Sequence, residues 1–166
     1  MTEPNRLEAE RINPYLISLF ALLSSATVFE GFDAAMLSFA APDVRATLDI
    51  SLEEWGFITG LTRMGVLASF LFMLSADQVG RRFVMMVTVA GFAIANGLTA
   101  FVETKWEFVT AQFFARLFLT AEYALAVIII GEEYPARLRG RAIAILTSLA
   151  TVGVMAMAKL QPYVLL

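Results

Sequence analysis

The sequence predicts an all-α integral membrane protein with about five transmembrane helices. Three observations carry that prediction. Of 166 residues, 59% are apolar and only 16% charged, and the mean hydropathy is +0.74, against about 45–50% apolar and about 25% charged in a soluble domain. The apolar residues gather into five runs, each long enough for a bilayer crossing of about 20 residues. The polar stretches between the runs are short. Inside lipid each segment satisfies its own backbone groups, so the runs read as helices rather than strands.

The runs cover residues 14–40, 52–76, 83–101, 106–130 and 142–164, behind a polar tail over 1–13. Asn13-Pro14 reads as an N-cap followed by proline in the first turn. The leader carries three glutamates and the first run is too long for the apolar part of a signal peptide, so it reads as a retained span. The second run opens on Ser51-Leu-Glu-Glu54, a capping box, and its Gly56, Gly60 and Gly65 predict a small-residue face for close helix approach. The third follows Arg81-Arg82, and the fourth opens on Thr104-Lys-Trp-Glu107, a second capping box. The fifth runs to Leu166 with no polar tail, which predicts a truncated chain.

Charge sets the expected orientation. The tail (Arg6, Arg11), the second loop (Arg81, Arg82) and the fourth (Arg137, Arg139, Arg141) hold seven basic residues, and the first and third hold Arg45 and Lys105 alone. The positive-inside rule then places the N-terminus in the cytoplasm of an inner-membrane protein. Trp55 and Trp106 begin the second and fourth spans on the expected outer side, where aromatic anchors belong. Twelve basic against fifteen acidic side chains leave a net charge of −3, with no footprint for nucleic acid. Without cysteine or histidine the chain has no disulfide, no thiol chemistry and no His- or Cys-type metal site, and no cofactor is implied. Any proton handled near neutral pH rides on a carboxylate.

Beyond the first turns of the runs, where Glu53, Glu54 and Glu107 sit, six charged residues fall inside them: Glu30, Asp33, Arg63, Arg116, Glu122 and Lys159. Each costs about 2.5–3.5 kcal/mol at a helix centre on insertion scales. Three acids against three bases suggest pairing around a polar interior. Glu30 and Asp33 share a helix face at three-residue spacing. Two carboxylates that close do not both ionise cheaply in a low dielectric, which is what a protonation switch without histidine requires. Arg63 admits two readings, a bidentate partner for a substrate carboxylate or a structural counter-charge, and Glu122 likewise a substrate contact or a counter-charge. Lys159, near the outer end of its span, reads as snorkelling to the interface.

The second loop reads Ala76-Asp77-Gln78-Val79-Gly80-Arg81-Arg82. It resembles the cytoplasmic loop of the major facilitator superfamily, G-x-x-x-D-(R/K)-x-G-(R/K)-(R/K), with Met73 at the opening glycine and Gln78 at the first base. Glu132-Glu-Tyr-Pro135-Ala-Arg-Leu-Arg139-Gly140 resembles the E-x-x-P-x-x-x-R-G loop of the sugar and metabolite porter branch. Glu30-Gly31-Phe32-Asp33 is similar to the D-G-x-D motif of aromatic-acid and metabolite:proton symporters, and Arg116 falls at the helix-four arginine of the same group. The resemblance implies the N-terminal part of a six-helix half, with a second half absent. It implies a secondary transporter, a proton symporter of a small organic acid or related metabolite, and no enzyme. Its carry-over makes Asp33 and Arg116 a proton-coupling pair with Glu30 beside them. Asp77, Gly80, Arg81 and Arg82 become one gate loop, and Glu132, Pro135, Arg139 and Gly140 a second. Three other readings stay open: a sugar porter, a non-transporting truncated membrane protein, and an intramembrane enzyme built on a Glu30/Asp33 dyad.

Overall fold

The computed structural model describes residues 13–164, for Asp77 and Val164 the backbone alone. The N-terminal tail expected in the cytoplasm, with Arg6 and Arg11, lies outside the described residues apart from Asn13. Five helices follow: α1 (Pro14–Thr47), α2 (Leu52–Val79), α3 (Arg81–Thr99), α4 (Lys105–Glu133) and α5 (Ala136–Val164). All five are long and apolar enough to cross a membrane, and no strand occurs among the described residues. The all-α membrane class expected from the composition is therefore the class observed.

The helix ends follow the local chemistry of the sequence. Leu16 N–H donates to Asn13 Oδ1 at 2.8 Å. At α2, Glu54 N–H donates to Ser51 Oγ and Ser51 N–H to Glu54 Oε2, the reciprocal capping box. At α4, Glu107 N–H donates to Thr104 Oγ1 while its carboxylate accepts from the Glu103 and Thr104 amides. Glu54 does double duty, accepting from Lys105 Nζ at 2.8 Å and so joining the starts of α2 and α4. Beside this pair, Trp55 packs on Phe108 at 5.9 Å between ring centroids.

Helix α1 continues to Thr47, past the apolar run, because lipid bounds the hydropathy and not the hydrogen bonding. Arg45, expected in a loop, therefore lies on its last turn. The helix closes on a left-handed residue, Asp49 (φ 50), with Ile50 N–H bonded back to Arg45 O and Ile50 buried as the apolar plug. A side chain in this region pays a steric cost that glycine does not. Asp49→Gly is expected to raise stability by up to about 1 kcal/mol, read as a higher thermal midpoint in detergent.

By contacts the chain divides into two units, one of residues up to Phe39 with those from Ala126 onward, the other Ala40–Leu125. In the second unit α2 and α3 meet at Gly80, whose φ of 103 lets two spans join across one residue. Ala76, Val84 and Leu125 form a buried cluster there with Phe72 and Met85 against it. Gly65 marks the approach of α2 to α4: a Cβ on it would meet the Phe113 carbonyl and come within 3.2 Å of Arg116 Cβ. Gly91 of α3 faces the Phe118 ring, which stands edge-on to Phe72 at 5.7 Å. Among the described residues the close approach expected along Gly56 and Gly60 is not there. Nothing lies within 4 Å of a Cβ built at either, because both sit on an exposed side of α2 and Gly65 alone of the three faces a helix.

In the first unit the contact is reciprocal. A Cβ on Gly31 of α1 would strike the Ala150 carbonyl of α5, and one on Gly153 of α5 the Val28 carbonyl of α1. The buried stripe of α1, Leu16, Leu23, Thr27, Gly31 and Ala35, runs along this line.

Candidate functional site in the membrane-spanning helices

Glu30 and Asp33 lie half-buried near the middle of α1. With about 100° between successive helical residues, they stand roughly 100° and 160° away from Gly31. The side of α1 that carries them is thus turned from the glycine contact with α5. Both side chains are engaged by other groups.

In the second unit, Arg116 is half-buried on the α2-facing side of α4, its stem against Gly65. Arg63, two residues before Gly65, falls on the opposite side of α2 and is exposed. The structure therefore does not bring these two arginines together. Glu122 is 7% exposed, six residues beyond Arg116 and turned about 120° from it around α4. No cation among the described residues forms an ion pair with it. Lys159 is exposed near the end of α5.

Of the α2–α3 loop residues, Asp77 is on the last turn of α2, Gly80 is the turn, and Arg81 and Arg82 open α3; Arg81 is engaged and Arg82 exposed. At the α4–α5 corner Arg139 Nε donates to the Tyr134 carbonyl at 2.7 Å. Leu138 and Arg139 amides donate to the Pro135 carbonyl, and Gly140 lies exposed in the first turns of α5. Arg139 thus braces the end of α4, and Glu132 is engaged as well.

Sequence reasoning missed three residues of this framework. Tyr134, 6% exposed, donates through its hydroxyl to Leu16 O at 2.8 Å, with the Phe20 ring 6.2 Å away. Burial pushes its phenol above the ordinary value, which favours the protonated, donating form. Gln112, 4% exposed, donates to Thr99 Oγ1 at 3.1 Å and ties α4 to α3 one turn before Arg116. Gly153 carries the α5 half of the glycine contact. Tyr134 was visible only as a motif filler, and Gln112 and Gly153 had no signal beyond being small or polar in apolar runs. A concavity of about 550 Å³ at the α1–α2 turn, lined by Arg45, Asp49, Ser51 and Glu54 among others, holds none of the expected site residues.

The chain is similar in sequence to known proteins. A protein of Bacillus subtilis named as a niacin/nicotinamide transporter, NiaP, is 32% identical over 83% of this chain and 35% of its own length. A protein of Haemophilus influenzae named as a metabolite transport protein is 30% identical over 87% and 36%. The gallate transporter of Pseudomonas putida is 25% identical over 81% and 30%. The chain spans about a third of the length of these relatives. No solved structure matches it significantly. The pattern of the Major Facilitator Superfamily matches residues 23–165, which takes in α1 from its third turn and α2 to α5 whole, and the chain belongs to that family of membrane transporters.

Proposed function

We propose that the full-length protein carrying this sequence is a proton-coupled symporter of a small organic acid, working by alternating access. The observation that carries the reading is the carboxylate pair on α1, Glu30 and Asp33, set mid-span on the side turned from the α5 contact. Lipid does not tolerate such a pair, so a polar interior is its place. Relatives named for niacin and gallate support the substrate class, since both compounds are carboxylic acids on an aromatic ring. In this reading Asp33 carries the proton, Glu30 sets its proton affinity and Arg116 supplies the counter-charge. Arg63 takes the substrate carboxylate and Glu122 lines the substrate path. A second half-bundle closes the far wall of the cavity, as in the two-half transporter architecture. The protein lies in the cytoplasmic membrane with its N-terminus inside, as the arginine distribution supports.

The test is uptake of labelled nicotinate and gallate into proteoliposomes holding the full-length protein, with and without an imposed proton gradient. Accumulation is expected with the gradient and is lost when a protonophore collapses it; uptake indifferent to the protonophore overturns symport. Arg63→Gln is expected to weaken nicotinate roughly 10- to 100-fold, the worth of a charge-assisted pair, and to leave neutral nicotinamide little changed. Equal losses for the two compounds would remove Arg63 from carboxylate recognition.

A further inference from the structure

The corner between α4 and α5 holds the first turn of α1 through one side chain. Tyr134 has all three of its polar groups committed. Its amide donates to Ile130 O at 3.1 Å, its carbonyl accepts from Arg139 Nε at 2.7 Å, and its hydroxyl donates to Leu16 O at 2.8 Å across 118 residues of sequence. Pro135 behind it restricts the backbone further. The corner is thus a rigid mount, and the hydroxyl is its single hydrogen bond to α1 among those described. Fifteen residues on, α1 touches α5 by backbone at Gly31 and Gly153, with no side chain standing between. A contact of that kind resists separation and permits a small rotation, whereas interdigitated side chains would block both.

We propose that Tyr134 is a latch and the Gly31–Gly153 contact a pivot, so that the first half of α1 swings away from α5 when the Tyr134–Leu16 bond opens. The lever from Leu16 to Gly31 is about 22 Å, and a tilt of about 10° moves Leu16 by roughly 4 Å, more than the bond can follow. Opening leaves the rest intact: Leu16 O keeps its place in the α1 ladder, and the Tyr134 amide and carbonyl keep Ile130 and Arg139. The closed position carries a built-in opposing term. Ser24, one turn before Val28 on the same side of α1, has its hydroxyl fully buried with no hydrogen-bond partner among the described residues. Ser18, Thr27 and Ser38 of the same helix bond back to backbone carbonyls instead. A buried hydroxyl without a partner disfavours the state that buries it, so Ser24 presses toward opening while Tyr134 holds closed. The device concerns α1 and its mount and stands apart from the identity of any substrate.

The chain contains no cysteine, so a single probe can be introduced without background. Leu23, 4% exposed between latch and pivot, becomes the probe as Leu23→Cys, and Ala35→Cys, 6% exposed beyond the pivot, the control. The readout is the rate of modification of the full chain by a water-soluble maleimide in detergent. Adding Tyr134→Phe is expected to speed labelling at 23 about 3- to 10-fold, the population shift that one net hydrogen bond supplies, and to leave 35 unchanged. Adding Ser24→Ala is expected to slow labelling at 23 by a similar factor. Equal acceleration at 23 and 35, or the same sign of change from both variants, overturns the latch. Should Leu23→Cys itself prevent folding, Thr27→Cys serves the same test, being 3% exposed on the same stripe.

Discussion

Asp33→Asn in the full-length protein is expected to abolish gradient-driven accumulation, with a loss of at least about 100-fold in concentrative uptake, while equilibrium exchange of substrate across the membrane continues. Asparagine preserves the shape and hydrogen-bonding reach of the side chain but has no proton to release. The expectation rests on the scarcity of alternatives: the chain has no histidine and no cysteine, so a proton crossing this part of the protein near neutral pH needs a carboxylate. Of the acids within the spans, Asp33 and Glu30 share one face of α1. Glu30→Gln removes the neighbouring carboxyl and is expected to shift the pH dependence of uptake rather than abolish it. Concentrative uptake that survives Asp33→Asn would move the coupling site elsewhere, with Glu122 the next acid to test. Substrate binding lost together with coupling would mean that Asp33 holds the substrate.

The second large effect is structural. Gly153→Leu is expected to cost about 3 kcal/mol, the upper part of the range for overpacking, and to lower the thermal midpoint in detergent markedly. The Cβ at this position meets the Val28 carbonyl and lies 2.7 Å from the Phe32 amide nitrogen. Backbone atoms of a helix have no rotamer by which to yield, so α1 and α5 must separate. Gly31→Leu is expected to do the same from the other side, against Ala150. Gly97→Ala is the control, since nothing lies within 4 Å of its Cβ and the change carries only the favourable helix propensity of alanine. A Gly153→Leu protein as stable as the parent would show that α1 and α5 are not held in backbone contact.

Where a feature depends on neighbours in sequence, it was legible. The number of spans, both capping boxes, the Asn13 cap and the glycine turn at Gly80 each involve groups within four residues of one another or a run of apolar side chains. The glycines show the limit of that reading. Gly56 and Gly60 share a helix face, and Gly65 stands roughly 140° to 180° around α2 from them; among the described residues Gly65 alone of the three meets a neighbour, and the close α1–α5 contact falls on Gly31 and an unremarked Gly153. A small residue states that a partner could approach; it carries no information on whether one does. Arg63 and Arg116 make the same point for charge. Both are mid-span arginines in the sequence, and only the approach of α2 to α4 puts one stem against a helix and the other on the exposed side.

By itself the sequence determined that this chain is a multi-pass helical membrane protein and which family patterns it carries, because hydropathy, capping and turn chemistry are local and additive along the chain. Only the tertiary structure decided which faces of those helices meet, that Tyr134 ties the start of α1 to the α4–α5 corner, and that Gln112 ties α4 to α3. Those contacts join residues up to 118 positions apart, and packing over such separations depends on the shapes of both surfaces at once, which neither segment encodes alone.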